Sequence, residues 1–144
     1  NGVYKAGFAT TQKAYEEAVV PLFETLARLD DVLDQQRYLV GHRLTEADWR
    51  LFTTLIRFDA VYVGHFKCNW RRIEDHPNLS HYLRDLYQHP GIAETIDLEA
   101  TKRHYYGSHA TINPHYVVPV GPELNFDRPH NRQERFGSPI PATG

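Results

Sequence analysis

Apolar residues in the first quarter of the chain recur three and four positions apart. Tyr15, Ala18, Val19, Leu22, Leu26, Leu29 and Leu33 form one stripe, the mark of a helix with a single buried face. The stripe predicts a helix from about Thr11 to Gln36, opened by Thr10 or Thr11 as the capping residue. Pro21 lies inside it. Its missing N–H is expected to kink the helix near Glu17.

A second helix is announced by Thr45 with Asp48 three residues on. This is a capping-box pattern with Asp in place of the usual Glu or Gln, and Leu44 and Trp49 occupy the positions of a hydrophobic staple. Phe52, Leu55, Ile56 and Val61, with Leu51 and Phe58, make the segment apolar nearly all round. Such a helix is expected at the centre of the fold. Arg50 and Arg57 stand seven apart on one side of it. Lone buried charges are costly, so Asp48 or Asp59 is the expected ion-pair partner, with substrate contact as the alternative.

A third helix is predicted from Pro77, with Leu79, Tyr82, Leu83, Leu86 and Tyr87 as its face, and His89-Pro90-Gly91 breaks it. A short fourth runs from Ile92 to about His104. No stretch alternates as a strand would, so the fold class is all-α. The pattern changes after Tyr106. Residues 107–144 hold six of the nine prolines and keep Ile112, Tyr116, Val117, Val118, Leu124 and Phe126 as apolar anchors. The reading is a helical domain over 1–106 and an extended, irregular tail over 107–144 that packs on it. The tail is expected to lie against the body to about residue 128, with the last dozen residues mobile.

Composition narrows the function classes. Sixteen basic residues face eighteen acidic ones, so nothing pulls the chain toward nucleic acid or an anionic membrane. No apolar run approaches the ~20 residues that cross a bilayer. The single cysteine, Cys68, excludes an internal disulfide. The start, NGVYKAGFAT, has no apolar core of a signal peptide. A reducing cytoplasm is the expected compartment, and the chain reads as part of a longer one.

GHRLTEADWRLFTTLIRF, residues 41–58, resembles the start of the buried core helix in the C-terminal domain of glutathione transferases. Four further segments are more specific: NGVYKAGFATTQ at 1–12, LIRFDAVYVGHFKCN at 55–69, PNLSHYLRDLYQHPG at 77–91 and KRHYYGSHATINP at 102–114. They are similar to the glutathionyl-hydroquinone reductases, the Xi class of that superfamily, and the match runs to about Pro129. The resemblance implies a glutathione-transferase C-terminal-type helical bundle. It implies a preceding thioredoxin-like domain, outside this chain, that binds glutathione as co-substrate and carries the nucleophilic cysteine. It also implies a homodimer.

On that reading this segment holds no catalytic nucleophile and is inactive by itself. It is the substrate-binding part of an enzyme that removes glutathione from glutathionyl-hydroquinones. The alternative is a non-catalytic helical module for protein interaction. The resemblance places Tyr4, before the first long helix, and Tyr105, after the fourth, in the hydroquinone pocket. Tyr106 is a weaker candidate, because adjacent side chains do not share a face. His104 is a weaker one too, as a group that titrates near neutral pH. His104 and His109 alone are too few to hold a metal, so none is expected. Cys68 lacks a following proline and reads as an unreactive thiol.

Overall fold

The computed structural model describes residues 1–139. A short helix not expected from the sequence comes first, α1 (Gly2–Gly7). The apolar stripe then forms α2 (Gln12–Gln35), where the Thr11 hydroxyl accepts the Ala14 N–H at 3.0 Å. The helix continues through Pro21. The Glu17 carbonyl that loses its donor there lies on an exposed turn, where water can replace it.

The central helix begins as α3 (Glu46–Arg57). Its expected capping box is present, with the Thr45 side chain at the Asp48 N–H and the Asp48 carboxylate accepting the Thr45 N–H at 2.9 Å. Asp48 is fully buried and also accepts the Leu39 N–H and the Tyr82 hydroxyl, at 3.0 and 2.8 Å. One carboxylate thus joins three segments. A π-helical turn, Phe58–Tyr62, follows, in which the Val63 N–H reaches back five residues to the Phe58 carbonyl. The helix ends with α4 (Val63–His65).

The predicted third helix is α5 (Pro77–Tyr87). Its first free amides, Asn78 and Leu79, donate to the buried Asp30 carboxylate of α2 at 2.9 and 2.8 Å. Helix ends leave such donors without partners, and here another helix supplies the acceptor. The expected fourth helix begins later and ends later than its pattern suggested. A single 3₁₀ turn over Ala93–Thr95 precedes α6 (Leu98–Ser108). Among the described residues there is no strand, only two isolated bridges at Tyr38–Gly41 and Val40–Arg43. No helix of the described residues is long and apolar enough to cross a membrane.

Leu33, Leu55, Phe58, Val61, Phe66, Ile73, Leu79, Tyr82 and Leu86 are sealed from solvent in one core. The segment after α6 has no ladder to satisfy its backbone, and side chains supply the donors instead. Asn113 donates to the carbonyls of Tyr106 and Val117, Lys102 to those of Val120 and Gly121, and Gln88 to those of Phe126 and Arg128. Of the expected anchors, Ile112, Leu124 and Phe126 pack on the core, whereas Tyr116 and Val117 face solvent. Within the last dozen residues, 133–136 belong to a helix, α7 (Arg132–Phe136), and Arg135 bonds Asn78 and the Asp34 carbonyl. Residues 140–144, with Pro141, lie outside the described residues.

The arginine expectation is corrected. Asp48 and Asp59 pair with neither arginine. Asp59 instead accepts the Ile73 and Glu74 amides, and burial raises its carboxyl above the usual range. Arg50 pairs with Glu46 on the surface. Arg57 donates to the Thr53 carbonyl of its own helix.

Candidate functional site

α1, the π turn and α6 converge at one end of the bundle and bring three phenols together. The Tyr4 hydroxyl lies 2.7 Å from that of Tyr105, and the Tyr62 hydroxyl lies 3.2 Å from the same oxygen. Tyr4 is 42% exposed, Tyr105 partly buried and Tyr62 only 4% exposed. The three rings are therefore graded from core to surface.

Counting protons fixes a direction. Three hydroxyls carry three protons, and the two contacts use two of them. Tyr105 is the one partner of the Tyr62 hydroxyl among the described residues. A buried hydroxyl that keeps its proton unpaired is penalised. Tyr62 is satisfied as donor only if it donates to Tyr105. Tyr105 and Tyr4 share the second contact, in which either oxygen can donate, so one proton of this outer pair is left for whatever docks outside. Chained hydroxyls of this kind polarise one another.

Burial, followed by the bond to Tyr105, raises the Tyr4 phenol above its ordinary pKa, while the positive charge of Arg57 pulls it down. The same causes, burial first, push Tyr62 further up. Both phenols are neutral donors at physiological pH.

An aromatic floor holds the phenols in place. Phe66 stacks flat on Tyr62, with centroids 5.5 Å apart and 5° between the planes, and lies 5.2 Å from the Tyr4 ring. Phe66 can sit there because Gly7 has no side chain: a Cβ on Gly7 would fall 2.2 Å from the Phe66 ring. Behind the floor, the buried His65 shares a 2.9 Å hydrogen bond with His109. Burial lowers the His65 pKa to about 4, with further lowering from His109 and Lys67.

Two of the sequence candidates therefore meet, and two do not join them directly. Tyr106 is buried, turned onto the His65 ring at 4.5 Å. His104 is exposed and touches the Tyr105 ring edge-on at 5.7 Å. It lines an open groove of about 370 Å³ with Arg57, Ala100, Thr101 and Tyr105. The sequence does not single out Tyr62, Phe66 or His65, and it points to His109 only beside His104. Cys68 is fully buried and burial pushes its thiol up to about 12, so it is no thiolate near neutral pH. Among the described residues no group of three or more His, Cys, Asp or Glu side chains could hold a metal ion.

Comparison with known proteins gives the site its setting. Residues 12–85 match the family model described as glutathione S-transferase, C-terminal domain. The chain is 59% identical over 137 residues to the glutathionyl-hydroquinone reductase YqjG of Escherichia coli K12, covering 95% of this chain and 42% of that one. It is 62% identical over 122 residues to the glutathionyl-hydroquinone reductase PcpF of Sphingobium chlorophenolicum, covering 85% and 39%. The glutathione-bound structure of the Escherichia coli protein superposes with a TM-score of 0.92 over 94% of this chain and 44% of that one. The chain thus spans about two-fifths of the length of these relatives.

Proposed function

The chain belongs to the glutathione S-transferase C-terminal domain family, and from that premise we propose that it forms the hydroquinone-side wall of a glutathionyl-hydroquinone reductase. The observation that carries the reading is the three-phenol chain, whose outer pair Tyr4 and Tyr105 keeps one hydroxyl proton unspent. A thioredoxin-like domain outside this chain would bind glutathione and supply the thiolate.

The chemistry balances as follows. The thiolate attacks the glutathione sulfur of the substrate and an S–S bond forms. The ring reacts as its keto tautomer, in which a phenol proton has moved to the carbon bearing sulfur; the bond from that sulfur to the ring then breaks, and its electron pair enters the ring π system, leaving a phenolate. The product then takes up one proton. A second glutathione thiolate resolves the mixed disulfide, regenerating the enzyme thiolate and releasing glutathione disulfide. Tyr4 and Tyr105 hold the ring oxygen on which charge develops, and Tyr62 keeps their hydrogen bonds aimed outward. Tyr106 and His104 serve the pocket indirectly, one as packing and the other at the groove rim.

The test is to incubate the complete two-domain protein with a glutathionyl-hydroquinone and glutathione. Free hydroquinone and glutathione disulfide should appear in equal amounts. No turnover by the correctly folded complete protein would overturn the reading.

A further inference from the structure

Arg57 is a charge left over by the fold. The two carboxylates nearest to it in sequence, Asp48 and Asp59, are spent on backbone amides and a phenol elsewhere. Arg57 forms no ion pair among the described residues, and its one protein hydrogen bond there is a 2.7 Å contact with the Thr53 carbonyl of its own helix. A guanidinium has five N–H donors, so most of its capacity is unspent. It is half-buried, and it lines the 370 Å³ groove with Tyr105, Thr101 and His104. Its charge is felt at both Tyr4 and Tyr62, where it favours the ionised form. The guanidinium thus shares one open groove with Tyr105, the middle phenol of the chain. A cation that stabilises negative charge on the tyrosine oxygens does the same for a ligand oxygen docked against them.

We propose that Arg57 is a specificity-determining residue that holds an ionised phenol oxygen in the groove beside Tyr105, so that the site selects electron-poor phenols that ionise near neutral pH. This rests on the reading of the tyrosines as a phenol-binding site and names the ligand class of that site. The tyrosine hydroxyls can donate to either a phenol or a phenolate oxygen; Arg57 adds the full positive charge that favours the phenolate. A charge-assisted bond of this kind discriminates by about ten-fold or more.

The experiment uses two probes of similar shape on the intact protein, 4-nitrophenol and 4-methylphenol, at a pH where the first is ionised and the second is not. Dissociation constants are measured calorimetrically for the wild type, Arg57→Gln and Arg57→Lys. The expected result is that Arg57→Gln weakens nitrophenolate about ten-fold or more, leaves methylphenol within about two-fold, and that Arg57→Lys restores most of the loss. Equal weakening of both probes, or no change in either, overturns the proposal while the tyrosine site stands. If neither phenol binds the wild type, the tyrosine reading falls and takes this proposal with it.

Discussion

Arg132 donates a 2.7 Å hydrogen bond to the carbonyl of Leu33, ninety-nine residues earlier in the chain. The same nitrogen reaches the carbonyls of Gln36 and Arg37 at 2.6 and 3.2 Å. These groups lie at the C-terminal end of α2, where carbonyls lack helical donors and the helix dipole favours a cation. A residue of the tail therefore caps the longest helix. Arg132 is fully buried, and burial lowers its pKa to about 10, still well above neutrality. Arg132→Met keeps apolar bulk but strands the carbonyls. It is expected to cost about 2–4 kcal/mol in urea unfolding. A change below about 0.5 kcal/mol, the range of ordinary surface substitutions, would contradict the capping role.

The His65–His109 pair makes stability depend on pH. The folded-state pKa of His65 is depressed from 6.5 to about 4. Below the unfolded value the unfolded chain binds the proton more readily, so stability is lost as pH falls through that window. Between about pH 7 and about pH 5 the loss attributable to His65 should be about 2 kcal/mol. His65→Phe keeps a ring against Phe66 and Tyr106 but cannot titrate, so its stability should fall less over the same interval. A wild-type-like acid limb in this variant would remove His65 as the cause.

Gly7→Ala tests the aromatic floor. The added methyl would need the space now filled by Phe66. Forcing atoms into a packed site costs about 1–3 kcal/mol. Because Phe66 stacks on Tyr62, phenol affinity should fall along with the melting temperature. A variant as stable as the wild type, with unchanged phenol binding, would show that Phe66 is free to move aside.

Cys68 should behave as a sealed thiol. With no exposure and a thiol pushed up to about 12, it should react with a disulfide reagent only after the protein opens. The isolated 144-residue chain should then show no glutathione-dependent reductase turnover. Rapid labelling of native Cys68 would refute its burial, and turnover by the isolated chain would refute the assignment of the thiolate to another domain.

Where a hydrophobic stripe was long, the sequence carried the fold. The Tyr15–Leu33 spacing became α2 within a residue at each end, and Pro77 opened α5 as read. What escaped was anything decided by a distant partner. Asp30 caps a helix that starts 47 residues later, and the Thr45–Asp48 spacing shows only a local cap, although the Asp48 carboxylate also serves Leu39 and Tyr82. Tyr62 escaped for a different reason. The π turn at Phe58–Tyr62 inserts an extra residue into the helical count, so the 3.6-residue period no longer tells which way that ring faces. Family resemblance, not spacing, is what singles out Tyr4 and Tyr105. The local pattern also set Arg57 beside two acids that the fold uses elsewhere.

The central claim is that the chained phenols of Tyr62, Tyr105 and Tyr4 manage the charge and proton of a departing hydroquinone. Its most direct measurement is the turnover of a glutathionyl-hydroquinone by the complete two-domain protein carrying Tyr105→Phe, with thermal unfolding followed in parallel. Removing the middle hydroxyl breaks both contacts of the chain, so kcat should fall about 100-fold or more, while the stranded Tyr62 hydroxyl costs about 1–3 kcal/mol of stability and the protein stays folded. A kcat and KM equal to those of the wild type would contradict the account.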